Sequence, residues 1–220
     1  MKRIWAVLCG AAAVLSAAGP QLIGFDGDPA GKSPPGWTIS MTHEGCAPEW
    51  SVVADPTAPS PPNVLAQLSS DATGARFPLA IFDGFDATNG SVRVKFKAVS
   101  GKVDQAAGVV WRYRDRDNYY IARANALENN VVLYKVEKGT RTALAPQGTP
   151  PKTYGVKHPV PSGTWCELAV QFSGNLFTVS FNGEKLFDVM DSTFTGSGKA
   201  GLWTKADSVT YFDDFSLEKR

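Results

Sequence analysis

Short alternations of apolar and polar residues run along the chain from Trp37 onward, broken every few positions by Gly, Pro, Asn or Asp. A period of two marks strands with one buried face, and no helical period of useful length competes with it. The pattern predicts strands over residues 37–41, 49–53, 63–68, 90–98, 107–114, 118–125, 131–137, 165–173, 175–181, 185–189, 200–204 and 209–217. Val92, Val94 and Phe96 fall on one face, and Arg93, Lys95 and Lys97 on the other. Phe177, Val179 and Phe181 share a face in the same way. Val109, Trp111 and Tyr113 are expected together, as are Val209, Tyr211, Phe215 and Leu217, with Asp213 on that apolar side. FSGNLF and FNGEKLF place Gly and Asn where tight hairpins need them, and VEKGTRTAL sets Gly139 between two short runs. DPTAPSPPN lacks the donors a central strand requires, and APQGTPPKTYGVKHPVP reads as a long irregular loop. Many short strands without helices give an all-β antiparallel sandwich or barrel.

The first residues change the picture of the compartment. MKRIWAVLCGAAAVLSAAG has a basic start, an apolar run and a small-residue end, so residues 1–18 are expected to be a signal peptide. Residues 19–220 then form a single domain, periplasmic or secreted, with no membrane span in the mature chain. The formal charge is +1, and losing Lys2 and Arg3 leaves 20 basic against 21 acidic residues. That balance offers no electrostatic footprint for nucleic acid, and a monomer is expected. Loss of Cys9 leaves Cys46 and Cys166, which an oxidising compartment either joins as a disulfide or leaves as two buried thiols.

Candidate chemistry is sparse. His43 and His158 are the only histidines and lack ligand spacing, and there is no CxxC, HExxH or GxSxG. Asp115 and Asp117, flanked by Arg112, Arg114 and Arg116, read either as a carboxylate pair or as a solvated charged turn. Asp213 on a core face needs donors, a cation or a bulge that turns it outward. Asp26 can meet it if the terminal strands pair, and the two would then suit a structural calcium ion, with no other cofactor required. In RYRDRDNYYIARANALENN, Tyr119, Ile121, Arg123 and Asn125 alternate with Tyr120, Ala122 and Ala124. Rings to stack on and fixed donors are what a sugar surface needs, although core tyrosines with a buried arginine strut would read the same way.

At these residues the chain resembles a bacterial domain family labelled 3-keto-disaccharide hydrolase, of concanavalin A-like lectin and glucanase fold. The resemblance is carried by GVVWRYRDRDNYYIARANALENNVVLYKVEKG, ADPTAPSPPNVLAQ, KAVSGKVDQAAG and GKAGLWTKADSVTYFDDFSLE, and it spans nearly all of the expected mature chain. It implies a jelly roll and a carbohydrate partner. Arg112, Asn118, Tyr120, Arg123, Asn125, Trp203 and Lys205 are the resulting candidates for a ligand surface. Where relatives commonly read Trp-His, this chain has Trp165-Cys166, and alternation places Cys166 with Leu168, Val170 and Phe172 on an apolar face. Three functions stay open: a carbohydrate-binding module, an enzyme acting on 3-keto-glycosides, and a structural accessory domain of the cell envelope.

Overall fold

The structure is a computed structural model that describes residues 19–220; the expected signal peptide lies outside the described residues. The strands, in chain order, are β1 (Gln21–Ile23), β2 (Trp37–Thr42), β3 (Trp50–Ala54), β4 (Asn63–Gln67), β5 (Phe77–Ala87), β6 (Gly90–Ser100), β7 (Ala106–Asp115), β8 (Asn118–Asn125), β9 (Asn130–Glu137), β10 (Thr140–Leu144), β11 (Val156–Lys157), β12 (Trp165–Ser173), β13 (Leu176–Phe181), β14 (Glu184–Met190), β15 (Gly198–Trp203) and β16 (Val209–Lys219). They form two antiparallel sheets. The first runs β14-β13-β12-β6-β16-β4-β3 with β1 on β16, and the second runs β10-β9-β8-β7-β15-β5-β2 with β11 on β9. This is a sandwich, one of the two forms that the alternation predicts, and of the jelly-roll type that the resemblance implies. Among the described residues, no helix is long and apolar enough to cross a membrane.

The main core lies between the sheets. Val92, Val94 and Phe96 of β6 meet Trp111 of β7, Tyr120 and Ala122 of β8 and Leu202 of β15 there. Leu168, Val170 and Phe172 of β12 join them, with Cys166 on the same face. The second sheet is also buried on its outer face, where Phe77, Leu79, Ile81, Val110, Tyr119, Ile121, Val136 and Trp203 form a second apolar cluster. A sheet covered on both sides loses the alternation of a half-exposed strand. That is why β5, with the sequence FPLAIFDGFDA, has no strand signal in the sequence. β1 and β11 escape prediction because they are two or three residues long.

Two irregularities correct the expected facing. Arg112 adopts φ 48° and the β7–β8 register shifts between Trp111 and Asp115. Val109 and Trp111 therefore point into the main core, whereas Tyr113 packs with the outer cluster. In β16, Asp214 adopts φ 48° and the register shifts between Asp213 and Ser216. Phe212, Phe215 and Leu217 are in the core, while Val209 and Tyr211 are not. The extra residue is a β-bulge, which reverses the phase of every side chain beyond it.

Candidate functional site

The outer face of the second sheet gathers most of the chemistry. In β8, Arg123 is fully buried and donates to both carboxylate oxygens of Glu128, at 3.2 and 3.0 Å, and to Asn130 Oδ1 at 2.5 Å. Burial alone would push the Arg123 guanidinium down, but Tyr134 and Glu128 outweigh it and hold the group above its ordinary value. Burial raises Glu128, yet the bonds and charge of Arg123 keep it below the usual carboxylate range. Asn125 sits at the end of the same strand. Its side-chain oxygen accepts the N–H groups of Leu127 and Glu128, closing the turn that carries Glu128, while its amide donates to Asp104 and Glu128. Lys205 donates to the other oxygen of Asp104, so one polar chain runs from Arg123 to Lys205.

Two loops fix the far end of that chain. The Asp207 carboxylate accepts the N–H groups of Lys102, Val103 and Asp104, and the hydroxyl of Ser208 accepts Ala106 N–H and donates to the Lys205 carbonyl. Burial raises the Asp207 carboxyl, but those three N–H groups keep it depressed. Trp203, the neighbour of this loop in β15, lies across Gly108 of β7, where a Cβ would come within 3.2 Å of the indole.

The open part of the face is a cleft of about 500 Å³ between His43, Phe77, Thr140, Arg141 and Lys205. Arg141 comes from β10, across from Val136 of β9. Its guanidinium lies 4.6 Å from the ring centre of Tyr134, 4.8 Å from that of Phe77 and 5.7 Å from that of Trp203. No carboxylate comes within ion-pairing distance of it among the described residues, and one terminal nitrogen is buried without a partner. His43 packs edge-on against Phe77 at 5.3 Å. A second hollow, of about 600 Å³, adjoins through His43, Ala75 and Gly139 and is lined by Glu44, Arg116, Asp117 and Lys138. Tyr154, from the long loop expected between residues 146 and 161, covers the other side: its hydroxyl meets that of Tyr134 at 2.5 Å, and its ring lies 5.9 Å from the Arg123 guanidinium.

The structure brings Arg123, Asn125, Trp203 and Lys205 onto this face and places the other candidates elsewhere. Tyr120 points into the core, stacked on Trp111, with its hydroxyl donating to Asp191 and accepting Phe194 N–H. Arg112 is also buried, with its guanidinium donating to the carbonyls of Thr88, Phe194 and Gly174. Asn118 is a turn residue: it donates to Asp115 and accepts Lys138 N–H from the β9–β10 hairpin. Asp115 accepts Asp117 N–H, which makes their stretch a capped, charged turn. Arg141, Phe77, Tyr134, Tyr154 and His43 carry no sequence signal of their own, because their convergence depends on strand register.

The remaining expectations resolve locally. Cys46 and Cys166 are unbridged, so the disulfide alternative is not met, and of the two thiols Cys166 is buried in the core while Cys46 is exposed in a loop. Asp213 is fully buried and accepts the N–H groups of Ser60 and Asp214, while Asp26 accepts that of Asn63. Burial, then the charges of Asp214 and Asp26, push the Asp213 carboxyl above its ordinary range. No group of three or more His, Cys, Asp or Glu side chains is arranged to hold a metal ion among the described residues.

No family model matches the chain, and no curated protein matches it. Solved structures do. The carbohydrate-binding module CBM66 from Bacillus subtilis is similar at 18% identity and a TM-score of 0.61, over 84% of this chain and 96% of that one. Domain 4 of AbnA, a GH43 extracellular arabinanase from Geobacillus stearothermophilus solved with arabinotriose, aligns at 14% identity and 0.54, over 91% and 93%. A protein of unknown function with a galectin-like fold, also from Bacillus subtilis, aligns at 11% identity and 0.53, over 84% and 90%. At these identities the likeness defines the class of fold, a jelly-roll β-sandwich.

Proposed function

We propose that this protein binds carbohydrate in the Arg141–Lys205 cleft, as an exported binding module. The observation that carries the reading is Arg141 itself, a guanidinium held over three aromatic rings with hydrogen-bonding capacity left unfilled. Fixed donors over an apolar floor suit a ligand rich in oxygen acceptors. That two proteins of the same fold are a carbohydrate-binding module and a domain solved with arabinotriose supports it. The cleft residues include no carboxylate, which weighs against hydrolysis by a carboxylate pair. Titration calorimetry against a panel of oligosaccharides is expected to show saturable binding without turnover. Arg141→Met, which keeps a chain on the rings, should weaken it by at least about tenfold. Binding that ignores both Arg141→Met and Lys205→Met would remove the proposed site.

One observation favours a second reading. His43 lines the same cleft as Arg141 and Lys205, which sets a base beside cations. In a 3-keto-glycoside the C–H beside the ketone is acidic. His43 would take that proton while Lys205 or Arg141 holds the enolate oxygen; collapse of the enolate would form the enone as the glycosidic C–O bond on the adjoining carbon breaks, and protonated His43 would return the proton to the departing oxygen. Turnover of a 3-keto-disaccharide that is lost in His43→Gln is the expected sign. A wild-type protein that leaves the keto sugar intact rules the reading out.

A further inference from the structure

We infer that the saccharide taken by this cleft is anionic, with a carboxylate or sulfate ester seated between Arg141 and Lys205. The inference rests on the carbohydrate reading above and adds the charge of the ligand. Three arginines in the domain are buried and answered, whereas Arg141 is half-buried. Arg76 donates to the carbonyls of Cys46, Ala47 and Ala206 and to the Ser69 hydroxyl. Arg112 has three carbonyls, and Arg123 has Glu128 and Asn130. Arg141 has no hydrogen-bond acceptor and no ion pair among the described residues, although one of its nitrogens is shielded from water.

Aromatic faces recover only part of what a guanidinium loses on leaving water. An anion on its open edge recovers more, because carboxylate and sulfate oxygens match two N–H donors at once. The surroundings reinforce this. The cleft is lined by two cations, Arg141 and Lys205, and by no carboxylate. Asp104 answers Lys205 on its inner side and leaves Arg141 unanswered. Carboxylates line the adjoining hollow, as Glu44 and Asp117, with Asp117 near the shared Gly139. A volume of about 500 Å³ is far more than a free anion needs and falls in the range of small-ligand clefts.

The test uses oligomers of glucuronic, galacturonic and mannuronic acid, each beside its carboxyl-reduced counterpart, with a sulfated galactan oligomer and inorganic sulfate as further probes. The expected result is that at least one uronate binds about tenfold or more tighter than its reduced form. That advantage should shrink with added salt and vanish in Arg141→Met. The reduced and unreduced comparison needs no variant, so it decides the matter even if Arg141→Met fails to fold. Binding of the sulfated oligomer instead of any uronate upholds the anionic ligand and assigns it a sulfate ester. Reduced oligomers that bind as tightly as the anionic ones overturn the inference and leave carbohydrate binding standing. Inorganic sulfate that binds as well as any oligomer overturns it in favour of a simple anion site. Silence from every sugar removes both readings together.

Discussion

At the scale of single residues, three buried arginines act as struts, and half-buried Arg141 is the proposed reader. Arg112 illustrates the strut. Alternation and its neighbours make it a surface candidate, yet a positive φ at that very residue swings its side chain to the core, over Phe172 and Phe177. Its guanidinium then ties Thr88, Phe194 and Gly174, three loop segments far apart in sequence. Arg112→Met keeps the contact with the rings but takes the donor from three carbonyls, of which only the bond to Phe194 is buried, so a loss of roughly 1–3 kcal/mol is expected in urea unfolding. Ligand affinity should not change, since Arg112 lies away from the cleft. A loss below about 1 kcal/mol would mean that water replaces the guanidinium at those carbonyls. The chemical type of these residues is plain in the sequence, but what separates strut from reader is the acceptor each one meets.

At the scale of elements, the β9–β10 hairpin delivers Arg141. Lys138 at φ 50° and Gly139 at φ 78° make a two-residue turn with both central residues left-handed, the form that matches the twist of paired strands. The turn is tied down from β8 and the turn before it, because Asn118 accepts Lys138 N–H and the Asp117 carbonyl accepts Gly139 N–H. Asn118, expected to touch ligand, instead holds the hairpin that carries Arg141. Asn118→Ala should therefore weaken glycan binding several-fold while costing about 1 kcal/mol of stability or less. Unchanged affinity would show that the hairpin holds Arg141 without that tie. The same scale explains what was legible. β8 and β12 coincide with their predicted spans, because turn residues flank both and β12 alternates along its length. β5 was hidden because its first half is buried on both faces, and the bulge at Arg112 could not be seen, because an inserted residue leaves composition and period intact on either side. The candidate site was legible only where it lies on one strand or in one loop, as with Arg123, Asn125 and Lys205. Arg141 reaches Phe77 and Trp203 across several strands of a sheet whose order is not written in the local pattern.

At the scale of the whole molecule, carboxylates join the loops to the sandwich, and that gives stability a definite pH dependence. Asp207 gathers three N–H groups of the β6–β7 loop, Asp191 accepts the Tyr120 hydroxyl, Asp55 pairs with Lys97, and Glu128 pairs with Arg123. Burial opposes ionisation in each, but these partners hold all four below the ordinary carboxylate range. A carboxyl held low when folded contributes stability that is in place above its unfolded value of about 4 and is lost as pH falls through the folded value. Asp213 works in the opposite sense. Its folded value is raised by burial and by Asp214 and Asp26, so its contribution is present in acid and is lost as pH rises through that value. The lowered groups outnumber it, and the urea midpoint should therefore decline from neutral pH toward about pH 3. Asp213→Asn removes the group that opposes the trend and should steepen the decline. A midpoint that stays level or rises on acidification would mean that these carboxylates do not anchor the loops to the sandwich.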